Sequence, residues 1–263
     1  MDNSNALENI LKKDRFIAIS ALLVLCILAW LYIIYLNRQM LHMDMDAIFF
    51  AMPMSSSWTV VDFILLFLMW FVMMIAMMTA SVAPLILIFV MVNRKKKQEQ
   101  NPFVPTGYLI CGYFLIWGCF SLLATLLQWL LQKLSLLNPE MVTTNKILGG
   151  IVLIAAGLYQ FSSLKRRCLN YCLNPINFIH NNWKEGKRGA FQMGIENGVY
   201  CLVCCWVLMI LLFISGIMNL LWIALIALFV LIEKNFPNAK WISYIAGVAL
   251  TVYGTIVLFK SYL

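Results

Sequence analysis

The sequence predicts an all-α, polytopic helical membrane bundle. Three observations carry this: 63% of the 263 residues are hydrophobic, only 11% are charged, and the apolar residues fall in continuous runs. Soluble domains hold about 45–50% apolar and about 25% charged residues, and the mean hydropathy here is +0.88. Barrel strands would alternate apolar and polar positions, and these runs do not. A soluble globular enzyme, a disordered chain and a small disulfide-stapled secreted protein are excluded. Spans of about 20 residues each allow six or seven helices in one membrane domain over residues 1–263, with no room for a sizeable soluble domain.

The first run, Phe16–Leu36, follows Lys12, Lys13 and Arg15. It has the flank of a signal peptide, but it is longer than an h-region and no small-x-small cleavage site follows. It therefore reads as a retained anchor. The second run, Trp58–Val92, exceeds one straight crossing; Pro84 lacks a backbone donor and is expected to kink it. Gly107–Leu131, Ile147–Leu164, Val199–Ile214, Gly216–Ile232 and Trp241–Phe259 complete seven expected spans. Gly150 and Gly157 in the fourth resemble Gly247 and Gly254 in the seventh, and Trp70/Met73 in the second resemble Trp206/Met209 in the fifth. An inverted repeat, common in transporters, is one reading. The other is that glycines at seven-residue spacing let helices approach closely.

The formal charge of +8 is unevenly placed. With the N-terminus inside, the inner segments hold fifteen cations: Lys12, Lys13, Arg15, Arg94, Lys95, Lys96, Lys97, Lys165, Arg166, Arg167, Lys184, Lys187, Arg188, Lys234 and Lys240. The outer segments hold Arg38, Lys133, Lys146 and Lys260. This is the positive-inside pattern, and it predicts an outer C-terminus. Insertion and anionic lipid explain the charge, so no nucleic-acid partner is needed.

Cys26, Cys111 and Cys119 lie singly in or near spans and read as small buried hydrophobes. The other five cysteines cluster. Cys168 and Cys172 follow the fourth span and, on a helix, share a face at i, i+4. Cys201, Cys204 and Cys205 open the fifth span and share a face likewise. The charge pattern puts both clusters at the inner membrane surface, a reducing side where disulfide frameworks are rare. Clustered thiols there read first as soft-metal ligands and second as redox groups; packing without chemistry is the plain alternative. Lys165, Arg166 and Arg167 would favour thiolate, although topology alone accounts for them.

Thiolates and thioethers select Cu(I) or zinc, and cysteines also hold iron–sulfur clusters. Sixteen methionines tilt the expectation to copper as Cu(I), with zinc or iron as alternatives. Met73, Met74, Met77 and Met78 form a stripe on adjacent turns of the second span, extended by Met69. It reads as a thioether path or as ordinary gap-filling methionine. The first outer loop carries Met40, His42, Met43, Asp44, Met45 and Asp46, a mixed donor set that either captures copper or is polar loop. His180 either completes a Cys/His site or is polar surface. Glu233-Lys234 closes the sixth span as a local pair or faces the bundle interior, Glu196 falls out of phase with Cys201, and Gln128 and Gln160 are expected to bond between helices. No phosphate-binding Gly loop, HExxH helix or nucleophile elbow occurs, and two histidines do not supply bis-His haem sites.

The blocks Ala156-GLYQFSSLKRRCLNYCLN-Pro175 and Gly198-VYCLVCCWVL-Met209 resemble a bacterial family of predicted metal-binding integral membrane proteins of unknown function, sometimes labelled copper chaperones. Trp70-FVMMIAMMTASVA-Pro84 resembles the family's third motif, and the likeness runs from about Asp62 to the C-terminus. It implies metal binding by Cys168, Cys172, Cys201, Cys204 and Cys205. Two features depart from it: Thr79-Ala80-Ser81 stands where a Pro-Ser step is expected, and the outer His/Met loop lies outside the pattern. The expectation is a bacterial inner-membrane protein that binds Cu(I) and delivers or moves it, with a copper enzyme or metallochaperone as partner. The alternatives are a thiol–disulfide redox protein and a structural or assembly subunit with incidental thiols.

Overall fold

A computed structural model describes residues 2–41, 58–98, 104–134, 146–217, 219–236 and 239–262. Among these residues the secondary structure is helical throughout, with no strand. The elements are α1 (Asp2–Leu41), α2 (Val60–Gln98), α3 (Gly107–Lys133), α4 (Lys146–Gln160), α5 (Ser163–Leu173), α6 (Pro175–Asn182), α7 (Gly186–Ile210), α8 (Leu212–Ser215), α9 (Leu220–Asn235) and α10 (Ala239–Tyr262).

Five helices are long and apolar enough to cross a membrane: Phe16–Arg38, Val60–Arg94, Gly107–Lys133, Gly186–Ser215 and Lys240–Lys260. The bent pair α4–α5 would be a sixth. The expected span Gly216–Ile232 corresponds to α9, which has 16 residues. At 1.5 Å per residue it is about 24 Å long, short of the roughly 30 Å hydrocarbon layer. The wide apolar faces of α1 and α10, from Phe16 and Leu23 to Val252 and Phe259, stay exposed. Such patches have no place in water, and together with the span-length helices they make this a membrane protein.

Each break has a local cause. Helix α2 runs through Pro84 without interruption. Between α4 and α5 the chain turns by 60°; Ser162 adopts an extended conformation and its hydroxyl accepts from the Lys165 amide, an N-cap that starts a new helix. Gly216, at φ +93°, ends α8, a conformation glycine adopts without a Cβ penalty. Asn219 then caps α9 by accepting from the Leu221 and Trp222 amides.

The helices meet along glycines. Gly150 lies against the Gly254 carbonyl and Gly157 against the Gly247 carbonyl, so α4 and α10 are antiparallel. The seven-residue glycine spacing serves close packing of these two helices on each other. Gly194 lies on the Leu109 carbonyl and Gly198 on the Tyr113 carbonyl, so α3 and α7 run parallel. Helix α9 returns alongside α7: Trp222 lines a cavity with Leu208 and Leu211, while Lys234 reaches Cys201. Between these pairs sits the core of α2, with Trp70, Met73, Met74, Met77, Met78 and Ile86 all at most 2% exposed.

Candidate metal centre

Helix α7 starts at Gly186, thirteen residues before the expected span. Its polar first turns hide that start in the sequence: Lys184, outside the helix, pairs with Glu196 within it. Cys201 therefore stands at the middle of the 30-residue candidate span Gly186–Ser215, not at its start as the sequence reading had it.

Cys201, Cys204 and Cys205 are 2%, 1% and 0% exposed. The Cys204 and Cys205 thiols both turn back to the Cys201 carbonyl, at 3.1 and 2.9 Å. Cys205 is also within electrostatic reach of the Cys201 and Cys204 thiols. Cys172, partly buried on α5, lies within electrostatic reach of Cys204. Four thiols from two helices thus form a chain, Cys172–Cys204–Cys205–Cys201. Cys168 is 6% exposed and sits at its edge, within electrostatic reach of Cys204. Tyr171 of α5 stacks on Tyr200 of α7 with centroids 4.4 Å apart, and the Tyr159 hydroxyl donates to the Val203 carbonyl. These contacts hold α5 and the end of α4 against the cysteine face.

Two further helices close the chain's Cys201 end. From α3, the Tyr113 hydroxyl lies 3.0 Å from Cys201 Sγ and donates to the Met78 carbonyl at 3.4 Å. From α9, Lys234 Nζ donates to Cys201 Sγ at 2.7 Å and lies 3.9 Å from Cys205 Sγ. The methionine stripe and the thiols are thus neighbours through Tyr113.

Beside the thiols lies a buried ion pair. Lys165 Nζ is 2.5 Å from Glu233 Oε1, with the two side chains 1% and 0% exposed. Gln160 accepts from Lys165, Ser243 donates to Glu233, and Lys165 sits over the Phe229 ring. Lys165 and Lys234, expected among the surface cations, are interior residues at 1% and 5% exposure. Sequence reasoning missed Lys165 as a site residue; for Glu233-Lys234 the bundle interior was one of two readings, and it is the one the structure has. A lysine at the end of an apolar run looks like a headgroup anchor, and only packing shows otherwise.

The other expectations divide. His180 is exposed and bonds Asn181, away from the thiols. Trp70 donates to Gln128 at 2.7 Å, the expected bond between helices. Cys111 and Cys119, expected buried, are exposed on α3, and Cys26 is half-buried. Met40, in α1, is not described beyond its backbone, and His42, Met43, Asp44, Met45 and Asp46 lie outside the described residues.

Among the described residues, no group of three or more His, Cys, Asp or Glu side chains stands arranged to hold a metal ion. What the site offers is three buried thiols on α7, Cys201, Cys204 and Cys205, with Cys172 of α5 within electrostatic reach of Cys204. Sulfur donors suit soft metal ions.

Fold and site together define an all-helical membrane protein with a buried chain of thiols. Residues 67–257 match the PpoB2 family, described as a copper chaperone, and the chain belongs to that family. The matched range contains all five clustered cysteines, the four stripe methionines, Lys165 and Lys234. No curated protein and no solved structure matches the chain.

Proposed function

We propose that this protein binds Cu(I) as cargo at the thiol chain Cys172–Cys204–Cys205–Cys201 and hands it on to a copper-requiring partner. The observation that carries this is the burial of Cys201, Cys204 and Cys205 together on one face of α7, with Cys172 of α5 within electrostatic reach of Cys204. Thiolate is the ligand that prefers Cu(I), and a buried chain of thiols gives the ion successive resting places while excluding water. Met73, Met74, Met77 and Met78 extend the soft surface on the far side of Tyr113. The family's description supports copper as the metal.

The membrane is the bacterial inner membrane, with the N-terminus inside and the C-terminus outside. Without the interior Lys165 and Lys234, thirteen inner cations still face four outer ones, a bias that supports this orientation. Parallel α3 and α7, and antiparallel α4 and α10, fit the alternation of passages that this orientation expects.

The test is elemental analysis of anaerobically purified protein in detergent, beside a variant with Cys201, Cys204 and Cys205 changed to serine. About one copper per chain, lost in the variant, is the expected result. Zinc or iron lost in the same way would keep the site and replace the cargo. No metal in either sample after reconstitution would sink the proposal. The nearness of Cys172 to Cys204 across two helices favours one rival, thiol–disulfide exchange. A redox titration reads it: that rival requires a two-electron couple that disappears in Cys204→Ser.

A further inference from the structure

Resting on the Cu(I) reading above, we propose that Lys234 is the specificity-determining residue of the site, a fixed positive charge that makes the thiol pair accept a monovalent ion and refuse a divalent one. Lys234 is 5% exposed, and its Nζ meets the sulfurs of Cys201 and Cys205 at 2.7 and 3.9 Å. The neighbouring carboxylate, Glu233, holds Lys165 and Ser243 through its Oε1, and its buried Oε2 has no hydrogen-bond partner. Among the described residues no carboxylate pairs with Lys234, and its electrostatic neighbours are Cys201, Cys204, Cys205 and Cys172.

Charge balance follows from this placement. When Cu(I) enters, two S–H bonds break, two Cu–S bonds form and two protons leave to water. The bis-thiolate complex carries one negative charge. The Lys234 ammonium, keeping its three hydrogens and donating to the Cys201 sulfur, brings the site to neutrality. Zn(II) on the same two thiolates is already neutral, so it leaves the Lys234 charge as unpartnered as the protonated, metal-free site does and gains nothing from it, while Cu(I) relieves a costly buried charge. Zn(II) also seeks four protein ligands, and the described residues assemble no such set. Lys234 thus acts through the ligands as a positioning charge, without itself binding copper.

The experiment compares wild type, Lys234→Met and Lys234→Arg in detergent, anaerobically. Affinity for Cu(I) is measured against a competing Cu(I) chelator and affinity for Zn(II) against a chromophoric zinc chelator. Lys234→Met is expected to lower the Cu(I)-to-Zn(II) affinity ratio at least tenfold, and Lys234→Arg to hold it within about threefold of wild type. A merely structural role would weaken both metals together and leave the ratio alone. Lys234→Gln keeps a donor and drops the charge, and gives the same reading if the methionine variant does not fold. An unchanged ratio in a folded neutral variant, with wild type binding Cu(I), overturns the role of Lys234 alone. Wild type that binds no Cu(I), or a triple serine variant that binds it undiminished, overturns the underlying site as well.

Discussion

The buried polar side chains of this bundle differ in what their loss would cost. Tyr113 bridges Cys201 and the Met78 carbonyl through one hydroxyl. Tyr113→Phe keeps the ring and is expected to lower the unfolding free energy by about 1 kcal/mol, the ordinary net worth of a hydrogen bond, measured by denaturant titration in mixed micelles. Glu233 is another matter, because its removal strands the ammonium of Lys165 in a site that is 1% exposed. Breaking one half of a buried pair costs about 3–5 kcal/mol, so Glu233→Gln should show that loss in the same titration. The double change Glu233→Gln with Lys165→Met should recover a large part of it. If the double variant is as unstable as the single one, the pair is not what makes Glu233 matter. The cysteine face was legible in the sequence because i, i+3, i+4 spacing fixes it whatever packs against it. Lys165 was not, and Glu233-Lys234 admitted two readings, because their burial depends on a 60° turn and a return helix that spacing does not encode.

At the scale of elements, glycine decides which helices touch. A Cβ on Gly194 would strike the Leu109 carbonyl, and one on Gly157 would strike Thr251 and the Gly247 carbonyl. Gly194→Val and Gly157→Val are each expected to destabilise by about 1–3 kcal/mol, the range of overpacking. Gly107→Ala is the control: nothing lies within 4 Å of its added Cβ, and the effect should stay within about 0.5 kcal/mol. Thermal inactivation of the detergent-solubilised protein, followed by gel filtration, separates the two outcomes. The α4–α10 glycines were visible in the sequence and admitted two readings; their mutual contact favours close packing as their purpose. The start of α7 at Gly186 was invisible, since Gly186–Asn197 is polar enough to read as loop. Helicity there comes from packing on α3 rather than from hydropathy.

For the molecule as a whole, the sequence sufficed for an all-helical membrane protein because composition and run length answer that question alone. Counting passages was harder. The fourth apolar run bends by 60°, and α9 has 16 residues, so run length overstated what each helix spans. The interior also sorts the eight thiols by access. Cys111 and Cys119 are exposed, while Cys201, Cys204 and Cys205 are sealed. A small membrane-permeant alkylating reagent should modify Cys111 and Cys119 of the folded protein first. It should reach Cys201, Cys204 and Cys205 only as the protein unfolds, with mass spectrometry reading each site. Early alkylation of Cys204 would mean that the thiol chain is open to the bilayer.

The parallel pairing of α3 with α7 has a consequence for how the chain is made. Tyr113 and Cys201 are 88 residues apart, and two parallel helices cannot close as a hairpin. As the ribosome releases the chain, α3 enters the bilayer with its Gly112 face bare, and that face waits while α4, α5 and α6 are synthesised. Docking of α7 supplies Phe191 and Ile195 to Gly112 and brings Cys201 to Tyr113 in the same movement. The thiol chain gains its wall from α3 late in biogenesis, so a nascent chain cut off before α7 has neither Cys201, Cys204 and Cys205 nor a partner for the helix that awaits them.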